Sequence, residues 1–313
     1  MSRKSLFAAL LLVLVALARP VRAADDAPHS IETRKGPAIV AFVLFGAVFL
    51  VHCFQYIRNR RRGNKGMLTL LIGMFFMSLG FLLRTSKMQY AWQFLFTFLA
   101  PCAFLATDYI ILARLGRAVG PEVARRCLPI SPSAISWLFI LSDCVTFAGQ
   151  ATGTVFIIIG GDWTSMGNKL AIAGLILQVV SFAIFTFLLF LFSRRLRSQY
   201  PNFYTSPESG SHNLRRAFAS KPINDVRLLV RIVGLTCVGF MIRSVFRLVE
   251  QCDGVFGTIA SHEIFFYLFD TIPLLLSVAL FGLVWPPRHI EGCALASAEN
   301  KRGESVDLQR LWK

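Results

Sequence analysis

The 313-residue chain is 55% hydrophobic, contains 29 Phe and is only 16% charged, against roughly 25% charged residues in an ordinary soluble domain. That composition excludes a soluble globular protein and points to the bilayer. The formal net charge of +16 would suit a nucleic-acid binder in an aqueous protein, but in a membrane protein its meaning depends on how the basic residues are divided among the loops.

The first apolar run, Leu6 to Ala18, follows Arg3 and Lys4 and precedes Val21-Arg22-Ala23, a small-residue pattern of the kind signal peptidase cuts. Residues 1–23 therefore read as a cleaved signal peptide and 24–37 as a short extracellular amino terminus. The alternative is an uncleaved anchor, for which the run is short. Seven longer apolar runs follow at 38–57, 67–83, 91–115, 135–160, 170–193, 228–249 and 264–285, each close to the length a helix needs to cross the hydrocarbon. The expected fold is all-α, with a seven-helix transmembrane domain over 38–285 and a cytosolic tail over 286–313.

Basic residues fix the orientation. Arg58, Arg60, Arg61, Arg62 and Lys65 follow the first span, Arg114, Arg117, Arg125 and Arg126 the third, and a further run from Arg194 to Arg227 the fifth, with more in the tail. The opposite side holds Arg34, Lys35, Arg84, Lys87 and Lys169. The positive-inside rule then places the amino terminus outside and the carboxyl terminus in the cytosol. The basic excess is topological, and attraction to anionic cytoplasmic lipids is an additional consequence.

Several function classes find no support. The chain has no Walker A loop, no GxGxxG fingerprint and no Asn-x-Ser/Thr sequon, so no nucleotide cofactor or direct ATP drive is expected. The histidines, at 29, 52, 212, 262 and 289, are too dispersed for the three-His zinc site of an intramembrane hydrolase. No enzyme and no cofactor is therefore expected. Only Cys252 is plainly extracellular, which leaves no exofacial disulfide. The stretch "SQYPNFYTSPESGSHN" in the longest connection reads as a flexible cytosolic loop.

Polar residues inside the spans show helical spacing. Thr97, Pro101 and Asp108 share a stripe of the third span, with Pro101 marking a kink. In the fourth, Asp143, Gln150 and Thr154 share a face, while Gly149 and Gly153 make a small-xxx-small pattern suited to close helix contact. The fifth carries Gln178, where an interhelical hydrogen bond is expected. Asp108, Asp143 and Arg231 together suggest a structural salt bridge near the inner interface.

The densest set lies in "MIRSVFRLVEQCDGVFGTIASHEIFFYLFDTIPLLL", 241–276. Arg243, Arg247 and Glu250 fall on one face of the sixth span, and Glu263, Tyr267 and Asp270 on one face of the seventh. The two spans are antiparallel, and Arg243 and Asp270 lie seven residues deeper than Glu250 and Glu263, roughly 10 Å at about 1.5 Å per residue. Charges at that depth must pair. The expected ladder joins Arg243 to Asp270 and Arg247 to Glu250 or Glu263. Such a ladder serves helix packing, a binding face for a charged head group, or both.

The segments "LAPCAFLATDYIILARL", "LSDCVTFAGQATG", "AGLILQVVSFAIF" and "IRSVFRLVEQCDGVFGTIASHEIFFYLFDTIPLLL" resemble, in order, the four signature regions of the fungal lipid-translocating exporter family, the RTA-like seven-helix membrane proteins. The resemblance runs from the first span to the seventh. It maps onto Ala100, Pro101, Tyr109 and Arg114; Asp143, Gln150 and Gly153; Gly174, Leu175 and Gln178; and Arg243, Phe246, Arg247, Glu250, Gly254, Gly257, Glu263, Tyr267 and Asp270. Asp108 stands where the family usually has an uncharged residue, and Pro273 near a position often held by methionine.

The resemblance implies a plasma-membrane or endomembrane protein that moves, or gives resistance to, amphiphiles such as sphingoid bases, phospholipids, sterol derivatives or porphyrins. Its partners are then membrane lipids or amphiphilic small molecules, with no nucleic acid. Substrate-binding candidates are Asp143, Gln150, Gln178, Arg243, Arg247, Glu250, Glu263, Tyr267 and Asp270. A seven-helix receptor or lipid-asymmetry sensor is the alternative, although no Asp-Arg-Tyr triplet follows the third span and no lysine for retinal lies in the seventh.

Amino-terminal sequencing of the protein purified from its native membrane is expected to start near Ala24. A sequence beginning at Met1 or Arg3 would overturn the signal-peptide reading.

Overall fold

The computed structural model describes residues 35–59, 64–85, 90–201, 223–253 and 262–311. The expected signal peptide, most of the loop after the fifth span, and Gly254 and Gly257 lie outside the described residues. Every regular element described is helical, and seven helices are long and apolar enough to cross a membrane. They are α1 (Lys35–Arg58), α2 (Leu68–Arg84, entered through a 3₁₀ turn at Asn64–Met67), α3 (Tyr90–Ala118), α5 (Pro132–Ile159), α6 (Trp163–Gln199), α7 (Val226–Asp253) and α8 (Glu263–Leu283). A short helix, α4 (Pro121–Cys127), links α3 to α5, and α9 (Pro286–Leu311) follows α8.

Local chemistry sets the helix ends. Ser131 caps α5 by accepting the Ala134 amide, and Pro132 occupies the first turn, where its missing N–H costs nothing. Between α5 and α6 the chain reverses through Gly160 and Gly161, with φ of 78° and 64°, a left-handed conformation that side chains with a Cβ rarely adopt.

The spans close into a ring. Neighbours in order pack against one another, α3 reaches across to α7, and α8 returns to α1. At that seam the Gln55 side-chain amide donates to the Gly282 carbonyl at 2.6 Å. Trp285 donates to Asn64 at 3.2 Å and Asn64 to the Tyr56 carbonyl at 2.7 Å. Buried aromatic side chains fill the interior, among them Phe45, Phe81, Phe104, Phe182, Phe185, Phe240 and Phe281. Leu50, Ile57, Trp137, Phe187 and Leu276 point outward, as lipid-facing residues do. Because lipid is as apolar as these side chains, burial gains little between spans, and close packing and interhelical hydrogen bonds hold the ring together.

The backbones of α5 and α6 approach closely. A Cβ on Gly153 would lie 2.6 Å from the Gly167 carbonyl oxygen, and a Cβ on Gly167 equally near that of Gly153. The expected partner Gly149 takes no part: it faces open space. The reason is that only one of two glycines a turn apart points along the line of crossing, and the small residues opposite it are Gly167 and Ala171.

The tail expected over 286–313 begins as a docked helix. His289, Cys293 and Ser297, spaced at four residues, form a buried stripe of α9 against the ends of α3 and α7. The Ile223 amide donates to the Arg288 carbonyl at 3.3 Å and the Ser297 hydroxyl to the Val119 carbonyl at 3.4 Å. A hydropathy window misses α9 because its opposite face is polar.

Burial pushes the Cys293 thiol up to about 12, so at pH 8 the reactive thiolate is about one part in 10⁴. In the folded protein Cys293 is expected to resist maleimide, whereas exposed Cys252 reacts readily. Equal labelling of both, read by peptide mass spectrometry, would show that α9 is not docked.

Candidate functional site

Three helices bring six charged side chains together within the bundle. Asp270 is fully buried, and its Oδ1 receives Arg247 Nε at 2.6 Å and lies 3.1 Å from Arg243 Nε. Arg247 also donates through Nη1 to Glu250 at 3.1 Å. At the end of α2, Arg84 donates to Glu263 at 3.0 Å. The Phe266 ring lies beneath both outer guanidiniums, with the Arg84 Cζ 4.7 Å and the Arg247 Cζ 5.2 Å from its centroid, each within cation–π range. Three arginines face three carboxylates, so the group as a whole is neutral.

The expected pair Arg243 and Asp270 is therefore present, with two changes. Asp270 is shared, and Arg247 holds it more closely, with good hydrogen-bond geometry where Arg243 has an ion contact only. Glu263 does not reach Arg247 but pairs with Arg84. The sequence places Arg84 at the outer end of the second span, yet the ends of α2 and the start of α8 meet, and a long arginine side chain reaches inward. Tyr267 lies beside the same guanidinium, 5.8 Å from its ring centroid to the Arg84 Cζ.

Backbone geometry positions Asp270. Residues Phe266–Thr271 form a π-turn inside α8, immediately before Pro273. Proline has no N–H for the Phe269 carbonyl, and its ring crowds that carbonyl. The wider i→i+5 turn accommodates the defect. One turn further on, the Ser277 hydroxyl donates to the Pro273 carbonyl at 2.8 Å.

A second polar group lies on α3, α5 and α7. Tyr109 donates to Asp143 Oδ2 at 2.9 Å, and the Tyr109 ring packs edge-on against Phe185 at 4.5 Å between centroids. Asp108 accepts from the Thr236 hydroxyl at 3.0 Å, with the Cys237 thiol at 3.9 Å. The expected salt bridge of Asp108 and Asp143 with Arg231 does not form. Arg231 lies on an exposed face of α7, because five residues separate it from Thr236 and half a helical turn carries it away from the bundle. Asp108 and Asp143 are both buried, and on each the Oδ1 atom has no hydrogen-bond partner among the described residues.

Gln150 and Gln178 meet as expected: the Gln150 amide donates to the Gln178 carbonyl oxygen at 2.9 Å across α5 and α6. Gly174 lies against the Gln150 side chain. Of the residues proposed from sequence, then, Arg243, Arg247, Glu250 and Asp270 form one connected group, and Glu263 and Tyr267 adjoin it through Arg84. Gln150 and Gln178 form a separate pair, and Asp143 stands apart from both. Sequence reading missed Arg84 and Phe266 as members of the charged group. The signal for Arg84 was available: it is the one basic residue within the last turn of a span on that side. Among the described residues no cluster of three metal-ligating side chains occurs.

The fold and this interior define a polytopic α-helical membrane protein with a group of paired charges shared by three of its helices. Residues 70–292 match the family described as "RTA1 like protein", and the chain belongs to that family. The matched stretch begins within α2, so α1 lies ahead of it. "Protein RTM1" of Saccharomyces cerevisiae is 31% identical over 61% of this chain and 56% of its own. "Protein RTA1" of S. cerevisiae is 26% identical over 79% of this chain and 80% of its own. "Sphingoid long-chain base transporter RSB1" and "Protoporphyrin uptake protein 1", also of S. cerevisiae, are each 28% identical over 62% of this chain. Apart from RTA1, the chain spans little more than half the length of these relatives. No solved structure matches.

Removing Asp270 strands Arg243 and leaves Arg247 with Glu250 alone, whereas removing Arg243 leaves Asp270 paired with Arg247. Asp270→Asn is therefore expected to cost roughly 3–5 kcal/mol of unfolding free energy, and Arg243→Gln clearly less. Adding Arg243→Gln to Asp270→Asn should recover part of the loss. Denaturant unfolding of the variants in detergent measures the coupling, and simple additivity would show that the two residues do not interact.

Proposed function

We propose that the chain is a translocator of amphiphilic lipids with charged head groups, sphingoid bases first among them, with phospholipids and sterol-like compounds as further candidates. It works in the plasma membrane or an endomembrane, with its amino terminus outside. The observation that carries this reading is Asp143: a buried carboxyl, one oxygen without a partner, and no cation beside it among the described residues. A buried carboxylate needs a positive partner, and the ammonium group of a long-chain base is one that can arrive and leave.

Other features support the same reading. Arg243 Nη2 is buried with no acceptor, a donor suited to a phosphate or carboxylate on the same class of molecule. The Phe-rich interior suits an acyl chain. A relative named as a sphingoid long-chain base transporter, and another named for protoporphyrin uptake, both handle amphiphiles by name. Resistance to toxic amphiphiles follows from export. Asp143, Gln150 and Gln178 are then the deeper contacts, and Arg243, Arg247, Glu250, Glu263, Tyr267 and Asp270 the head-group face toward the α7–α8 loop.

Proteoliposomes loaded with labelled sphingoid base, phospholipid or protoporphyrin provide the test. The wild-type protein is expected to move the sphingoid base, and Asp143→Asn to slow it at least about tenfold, the loss of one charge-assisted contact of roughly 1.5–3 kcal/mol, with unchanged melting temperature. Gln150→Ala is expected to slow it as well. Wild-type rates in both variants would assign these residues to packing, and no movement of any of the three compounds by the wild type would overturn the function.

A further inference from the structure

The charged residues buried within the membrane spans fall into two groups. Arg84, Arg243 and Arg247 are matched by Glu250, Glu263 and Asp270. Asp108 and Asp143 are left over, each buried and each with an unpartnered Oδ1. Around Asp143 the titratable neighbours are Tyr109 on α3, which donates to it, Cys102 on α3 and Cys144 on its own helix. Cys102 also neighbours Arg243, but no guanidinium reaches Asp143. Around Asp108 lie Thr236 and Cys237 of α7.

A carboxylate in such surroundings costs several kcal/mol unless a proton or another cation neutralises it. With no cationic side chain at hand among the described residues, the neutraliser is a proton or a cation from outside the protein.

We propose that Asp143 is a proton-exchange site: it holds a proton in the closed bundle and gives it up when the cationic head group of the substrate takes its place. The proposal rests on the reading of the chain as a translocator of cationic amphiphiles and names its coupling ion. The carboxyl O–H bond breaks, the proton leaves to water, and the carboxylate remains as counter-ion to the ammonium. The site is neutral before and after, so neither state buries a net charge. One cation leaves the membrane interior for each proton that enters, and a proton gradient then drives export without nucleotide hydrolysis. Asp108, whose Oδ2 is held by Thr236 and Cys237, stays protonated throughout.

Asparagine tests this cleanly at either position. It keeps an oxygen to accept from Tyr109 or Thr236 but carries no dissociable proton. The probe is a long-chain base with a trimethylated nitrogen, a fixed cation that cannot itself release a proton, added to the full-length protein in lipid nanodiscs in weakly buffered medium with a pH-indicating dye. The wild type is expected to release about one proton per cation bound. At pH values where the vacant carboxyl is protonated, its affinity should rise about tenfold for each unit of pH and level off above them, because a proton and the cation compete for one carboxyl. Asp143→Asn should release none and show an affinity independent of pH, while Asp108→Asn behaves as the wild type.

Binding to the wild type without proton release, or release that survives Asp143→Asn, overturns the exchange site. So does release lost in Asp108→Asn alone. If the unmodified sphingoid base is still transported in those cases, the translocator reading stands without proton coupling. If the wild type neither binds the probe nor transports the base, both fall.

Discussion

Two arginines on one buried carboxylate are the constraint around which this bundle is organised. In hydrocarbon an ion without a partner is worth several kcal/mol of instability, so Asp270 must find a cation wherever α8 is placed. Arg243 and Arg247 both come from α7, one turn apart, and together they tie that helix to α8. Arg84 extends the same logic to α2 through Glu263. Phe266 lies against two of the three guanidiniums, sheltering them from lipid while offering its ring face. Two consecutive helices and a third far from them in sequence are held by electrostatics that the membrane makes strong and water would make weak.

The other half of the bundle is assembled without ions. Bare backbones at Gly153 and Gly167 bring α5 and α6 into contact, and the Gln150–Gln178 hydrogen bond sets their register. The carboxyls of this half use neutral donors, a phenol and a hydroxyl. The division is chemical as well as spatial: one group is balanced in charge, and the carboxyls of the other have no cation beside them among the described residues.

Much of this was legible in the chain itself. Spans longer than about 20 apolar residues can be little else, and the residues Arg243, Arg247, Glu250 and Asp270 announce a shared face by spacing alone. Spacing could not tell which of two arginines a turn apart would hold Asp270 more closely, since that depends on side-chain geometry. Nor could it reveal that Glu263 turns to Arg84, a contact 179 residues away in sequence. The Asp108, Asp143 and Arg231 grouping failed because shared depth is not shared direction. The docked α9 escaped notice because a helix half polar and half buried has no distinctive mean hydropathy.

The π-turn in α8 has a mechanical consequence. Glu263 and Asp270 both precede the point where Pro273 forces the helix to widen, and Leu274, Val278 and Phe281 beyond it are locked in the core. Asp270 sits within the wide turn itself, so its heading toward α7 is set by the same backbone defect that Pro273 imposes, relative to a half-helix already fixed in the core.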